Sequence, residues 1–384
     1  MQLRLERRLE KTRAGHRLLV TVLSILAALA LGAVFLSLTG ASPLLVYPEM
    51  FRAAFLSWYG ITDTLAVAIP LILTGLAAAV AFRMQLYNIG AEGQLYVGAI
   101  LGSWAALALA PQLPKPLAIL VVFLFGAIGG ALWVLPPALA KAWLGTSEII
   151  TTLLLNFVAL YLMRYLIFGS ASFWRDPATT NFPQGKPLPE EAFLPVLGLT
   201  RVHFGLAVAL LAAVLLFVLF SRTRFGYDVR VVGDSPGAAL YAGISVRRTI
   251  VVVMLISGSL AGLAGAGEVA GIAHALDPAG LAVNFGYTGI IVAALARSSP
   301  FGVVVVAVLL GGLQNAGTAL QSIPGGGGVP VEVSFMLQGA ILLCALAGEL
   351  FIRYRLKTRQ SVVAEILEPT QQKSGSATTE KAQP

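Results

Sequence analysis

Long apolar runs recur along this chain, and they limit what it can fold into. At a rise of 1.5 Å per residue, about 20 apolar residues cross a hydrocarbon core of about 30 Å. Ten runs approach or reach that length, at 18–40, 61–82, 88–110, 117–139, 148–168, 204–220, 249–270, 284–296, 301–320 and 332–350. Of the 384 residues, 57% are hydrophobic and 11% charged, too few charges to cover a water-soluble surface. Lipid leaves backbone groups no solvent partner, so such runs are read as helices. The expectation is an all-α integral membrane protein of about ten transmembrane helices.

The net charge of +8 raises the question of a nucleic-acid partner, but the basic residues lie between the apolar runs and at the two ends. With the N-terminus inside, inner segments hold six Lys and Arg at 1–17, five at 221–248, six at 353–381, and Arg83, Lys141 and Arg297 singly. The outer side holds five: Arg52, Lys115, Arg175, Lys186 and Arg201. Basic residues stay on the cytoplasmic side, so both termini are expected there. Membrane lipid, and no nucleic acid, is the surrounding this pattern fits. Thr39-Gly40-Ala41 loosely imitates a signal-cleavage site, yet the run before it is longer than a signal core and reads as an anchor. Cys344 is the single cysteine, which excludes an intrachain disulfide.

These boundaries give a basic cytoplasmic segment at 1–17, a membrane domain at 18–350 and a cytoplasmic tail at 351–384, largely disordered from about Gln360 by its polar composition. Two connections are longer than turns: a proline-rich outer loop at 169–203 and an inner loop at 221–248. Helices one to five and six to ten share features. Gly75-Leu76-Ala77-Ala78-Ala79 parallels Gly262-Leu263-Ala264-Gly265-Ala266, and Asn88-Ile89-Gly90 parallels Asn284-Phe285-Gly286. With five helices each, two such halves would be inverted in the membrane, a common transporter arrangement.

Three stretches carry a resemblance: Tyr87-Asn88-Ile89-Gly90-Ala91-Glu92-Gly93-Gln94; the run from Leu144-Gly145-Thr146-Ser147-Glu148 to Asn156; and Phe225-Gly226-Tyr227 followed by Gly233 to Ile244. Over about residues 20 to 355 the chain resembles the permeases of bacterial ABC importers for ribose, other simple sugars, branched-chain amino acids and nucleosides. The first two stretches look most like the nucleoside branch that works with a basic-membrane-protein type lipoprotein. The resemblance implies a bacterial inner-membrane, multi-pass permease for a small polar solute, most readily nucleosides. It also implies an ATP-binding subunit carrying ATP and Mg, a second permease subunit, identical or homologous, and an extracytoplasmic solute-binding lipoprotein. A ribose-like sugar permease is the alternative within that class; a proton-coupled secondary transporter, titrating Glu92 or Glu268, is the alternative outside it. The chain has no phosphate-cradling G-x-x-x-x-G-K-[ST] motif, since Gly325 to Gly328 run into Val-Pro. It has no metal-ligand cluster or nucleophile-base pair either. It is therefore expected to be a transport subunit rather than an enzyme, binding no cofactor itself.

In the inner loop Ser235 is placed to cap a helix that starts at Pro236 and exits at Gly243. With Asp234, Gly237, Ala238, Ala239, Leu240 and Tyr241 it forms the expected coupling element, set against a plain surface helix. The expected solute path holds Asn88, Glu92, Gln94, Asn156, Phe157, Tyr161, Arg164, Glu268 and Asn315. Asn88 and Glu92 read equally well as N-cap and first-turn acid of the third helix. Glu148 reads as a cap of the fifth. Asn156 lies about 12 Å into its helix, where a polar group either joins helices or meets solute. Phe157, Tyr161, Arg164 and Phe168 share one helix face by their spacing, expected to meet protein or a water-filled path. Gln314 and Gln338 are further polar groups in apolar runs, and His274 and Asp277 read as solvated.

Overall fold

The computed structural model describes residues 3–7, 14–38, 40–179, 181–198, 201–320 and 332–358. The tail expected to be disordered from about Gln360 and the glycines at 325–328 lie outside them. Fourteen helices run in chain order: α1 (Ala14–Leu38), α2 (Pro43–Phe55), α3 (Trp58–Phe82), α4 (Ala91–Ala108), α5 (Lys115–Leu139), α6 (Glu148–Arg164), α7 (Gly205–Arg222), α8 (Arg224–Asp234), α9 (Pro236–Tyr241), α10 (Val246–Glu268), α11 (Pro278–Leu281), α12 (Phe285–Leu295), α13 (Pro300–Leu320) and α14 (Glu332–Arg353). Wider turns continue α5, α6 and α10 to Leu144, Gly169 and Ala273.

Each expected run contains a helix among the described residues. Among the described residues eight helices are long and apolar enough to cross a membrane: Trp58–Phe82, Ala91–Gln112, Lys115–Leu144, Glu148–Gly169, Gly205–Arg222, Val246–Ala273, Pro278–Leu295 and Pro300–Leu320. This is a multi-pass membrane protein. Among the described residues two elements are strands: β1 (Leu3–Arg7) pairs antiparallel with β2 (Tyr354–Thr358), Leu5 opposite Leu356. Neither segment is assigned secondary structure from the sequence alone.

The chain divides into two units, Met1–Phe35 with Gly339–Pro384, and Leu36–Gln338. In the first, β1 and β2 join, and Gly348 lies against Ser24. In the second, α3 is buried along nearly its whole length from Ala66 to Ala81. It packs against α12 and α13, while α10 packs against α4 and α5, and α3 and α10 meet. Lipid offers no hydrophobic drive between helices, so close backbone approach must supply the attraction. The sequence provides it. A Cβ on Gly130 would overlap the carbonyl of Gly258, and one on Gly262 that of Gly126. Small residues at these positions let α4, α5 and α10 touch backbone to backbone.

Candidate functional site

The segment between α3 and α4 is where the polar residues converge. Gln85 leaves the helix with φ 57°, and α4 restarts at Ala91 with Gly90 in the cap position and no side-chain cap bond. Asn88 is therefore not the N-cap. Its side chain exchanges hydrogen bonds with Gln94, both at 2.9 Å, and donates to Ser257 Oγ at 2.8 Å. Ser257 donates in turn to the Ala77 carbonyl of α3.

On its other side this segment is held by α6. Glu148, Thr152 and Asn156 follow at steps of four. Glu148 accepts from the Tyr87 N–H at 3.3 Å and pairs with Lys141 at 2.8 Å. It thus clamps two turns together while also accepting from its own backbone N–H in the first turn of α6, and Ser147 makes no side-chain cap bond. Thr152 Oγ1 accepts from the Ile89 N–H at 3.2 Å. Asn156 accepts from Gly93 N–H and donates to the Ile89 carbonyl, both at 2.8 Å, and also donates to the Tyr287 hydroxyl at 3.1 Å. An irregular backbone inside a membrane must be satisfied by protein, and these side chains do that.

Glu92 makes a different link. Its carboxylate accepts from the Tyr96 hydroxyl and the Gly286 N–H, each at 2.5 Å. Gly286 belongs to the first turn of α12, whose own cap residue Asn284 has φ 61° and no side-chain cap bond. A carboxylate from α4 thus caps the N-terminus of α12, where free N–H groups and the helix dipole favour negative charge.

The expected path residues separate into two groups. Asn88, Glu92, Gln94 and Asn156 are buried and bonded to one another's elements. Asn315 joins helices too, donating to Gly60 O at 3.1 Å and Thr64 Oγ1 at 3.2 Å. Gln314 donates to Thr288 Oγ1, which donates to Gln338 Oε1, so these two also bridge helices. Glu268 is buried at the end of α10 with no hydrogen bond or ion pair among the described residues. Phe157, Tyr161, Arg164 and Phe168 instead lie on a face of α6 and its continuation that is exposed among the described residues. Sequence reasoning missed Tyr287, Tyr96, Ser257 and Thr152. Only Thr152 carried a signal, its spacing between Glu148 and Asn156.

The inner loop is two helices. Thr223 caps α8 through Gly226 N–H, and Ser235 caps α9 as expected, accepting from Ala238 N–H at 3.3 Å. Asp234, Ser235, Pro236, Gly237, Ala238, Leu240, Tyr241 and Gly243 are exposed, Tyr241 at 98%. Ala239 is not: it is fully buried inside the chain and offers no surface to a partner. Behind α8, Gly233 lies on Arg83 and Met84. The Arg83 guanidinium donates to the Ser298 carbonyl at 3.2 and 3.3 Å and lies 4.5 Å over the Phe220 ring. This ties α3, α7 and the turn between α12 and α13 together beneath α8.

At the opposite end of α10, the 169–203 connection is fastened by Leu188 N–H to the His274 carbonyl and Leu194 N–H to the Ala270 carbonyl. His274 is not simply solvated, since its ring lies 4.0 Å from that of Phe193, and Asp277 caps α11 through Ala279 N–H. His203 is 1% exposed; Nδ1 accepts from Gly205 N–H, and Nε2 has no partner among the described residues. Burial, then the nearby His274, push its imidazole down to about 4. A lowered histidine pKa gives stability that is complete above the unfolded value near 6.5 and lost as pH falls towards 4. At about 1.4 kcal/mol per unit, the loss is on the order of 3 kcal/mol. His203→Asn keeps an acceptor for Gly205 without the titration. Melting temperature in detergent is expected to fall less between pH 7 and 4.5 in this variant than in the parent; equal slopes would count against this account of His203.

The family described as "Branched-chain amino acid transport system / permease component" matches residues 60–346. The glucose ABC transporter permease protein TsgB13 of Haloferax volcanii is 36% identical over 87% of this chain and 88% of its own. The guanosine ABC transporter permease protein NupP of Bacillus subtilis is 35% identical over 89% and 96%. The nucleoside ABC transporter permease protein NupB of Lactococcus lactis is 31% identical over 85% and 90%. The expected resemblance to ABC permeases holds over residues 60–346, and permease subunits of this kind are not enzymes. The chain belongs to the branched-chain amino acid transport system permease component family.

Proposed function

We propose that this permease carries nucleosides inward across a bacterial inner membrane, driven by ATP hydrolysis on a separate subunit that holds ATP and Mg. The observation that carries the reading is the exposed face of α6, where aromatic rings and a guanidinium line a membrane-spanning helix that lipid alone would not favour. Phe157, Tyr161 and Arg164 form one wall of the path, and a second permease subunit, identical or homologous, supplies the other. The buried group around Asn88, Glu92, Gln94 and Asn156 fixes that wall instead of touching solute.

The ATP-binding subunit docks on α8 and α9, whose exposed Tyr227, Leu240 and Tyr241 suit an apolar groove. A solute-binding lipoprotein delivers the cargo from outside. Adding α1 and α14 to the eight long helices supports ten spans, and the Lys and Arg gathered at the two ends support placing both ends in the cytoplasm. Pairing of β1 with β2 supports placing the ends on one side. The reciprocal packing of α3 on α12 and α13 and of α10 on α4 and α5 supports two inverted halves, as do the left-handed Gln85 and Asn284 before α4 and α12.

Similarity to NupP over nearly its whole length supports nucleosides, and similarity to TsgB13 keeps glucose as the second reading. Proton coupling through Glu92 is less favoured because that carboxylate is occupied as the cap of α12, which leaves buried Glu268 as the carboxylate a proton-coupled reading would use. Accumulation of labelled guanosine and glucose by cells with and without this gene tests the solute. Loss of guanosine uptake alone is expected; loss of glucose uptake alone would transfer the assignment to sugars.

A further inference from the structure

Arg164 sits sixteen residues beyond Glu148, about 24 Å along the helix axis and five residues before the end of its span at Gly169. It is exposed and makes no hydrogen bond or ion pair among the described residues. Phe157 and Tyr161, 51% and 62% exposed, precede it on the same face, and Phe168 follows. A guanidinium offers only donors, in a rigid planar fork, so the group that satisfies it must present paired acceptors in one plane. Rings one and two turns below offer flat surfaces on which a planar base stacks.

We propose that Arg164 is a specificity-determining residue that selects bases with a carbonyl beside a ring-nitrogen acceptor, the 6-oxopurine nucleosides guanosine and inosine, over adenosine. This rests on the reading of the chain as a nucleoside permease. The Arg164 fork donates to O6 and N7 together, as arginine does with guanine elsewhere. Adenosine offers N7 but places an amino donor where O6 would be, so one arm of the fork faces another donor. Phe157 and Tyr161 stack the base without distinguishing its edge.

The test measures accumulation of guanosine, inosine and adenosine by the complete transporter, in wild-type, Arg164→Gln and Arg164→Lys forms, each normalised to permease in the membrane. Wild-type protein is expected to favour guanosine and inosine over adenosine. Arg164→Gln is expected to lower guanosine uptake about tenfold, the usual effect of losing a paired base contact, with adenosine changed far less. Arg164→Lys keeps the charge without the fork and is expected to lose the preference as well. Full preference in the lysine variant would show that a point charge suffices, as for an arginine reaching to lipid phosphate, and would overturn the proposal. Equal wild-type uptake of guanosine and adenosine would overturn it while leaving the nucleoside reading intact. Wild-type protein that carries sugar and no nucleoside would remove both.

Discussion

Replacing Asn156 with leucine is expected to deplete folded permease from the membrane and to leave the solute preference of the remaining protein unchanged. Leucine is close in size, so the loss is of hydrogen bonds: Gly93 N–H loses its acceptor and the Ile89 carbonyl its donor, while Tyr287 loses a partner. A buried backbone group left unsatisfied costs about 1 to 3 kcal/mol. Two together are a large share of the few kcal/mol that hold most folds. Membrane yield and detergent melting temperature read this directly. Normal yield with altered competition between solutes would return Asn156 to the path.

The second large effect concerns the inner face. Leu240→Asp is expected to reduce ATP-dependent uptake at least tenfold at normal membrane yield, because Leu240 is 65% exposed and only a partner has reason to cover it. A carboxylate there needs no rearrangement of the permease but cannot enter an apolar groove without losing its water. Ala239→Arg makes the contrast. It forces a long cation into a fully buried position and is expected to lower yield itself. Leu240→Asp with unimpaired uptake would remove α9 from the coupling surface.

Several elements were legible in the sequence because local pattern determines them. Apolar length alone located the helical runs, and the cap at Ser235 followed from the Ser-Pro step. The helix α2 was not anticipated: 13 residues are too few to span a membrane, and Tyr47, Glu49 and Arg52 interrupt its apolar character. Long-range pairings were beyond local reading. Asn88 looked like a cap because asparagine often is one, but its hydroxyl partner Ser257 lies 169 positions away. Glu92 looked like the first-turn acid of its own helix and instead caps α12, whose first residue is nearly two hundred positions later. The clamp on residues 87–93 was half visible, in the spacing of Glu148, Thr152 and Asn156; what they grip was not. The exposed side of α6 was legible as one face from its spacing, yet what covers it is not among the described residues and so left no trace in the packing described.

The most direct test of the central claim is solute accumulation in sealed proteoliposomes holding the permease, its partner subunit and the ATP-binding subunit. The solute-binding protein is present outside, and ATP is supplied on the face bearing α9. Concentrative guanosine uptake that requires hydrolysable ATP and persists with the proton gradient collapsed is the predicted result; uptake that ignores ATP and follows a proton gradient would contradict it.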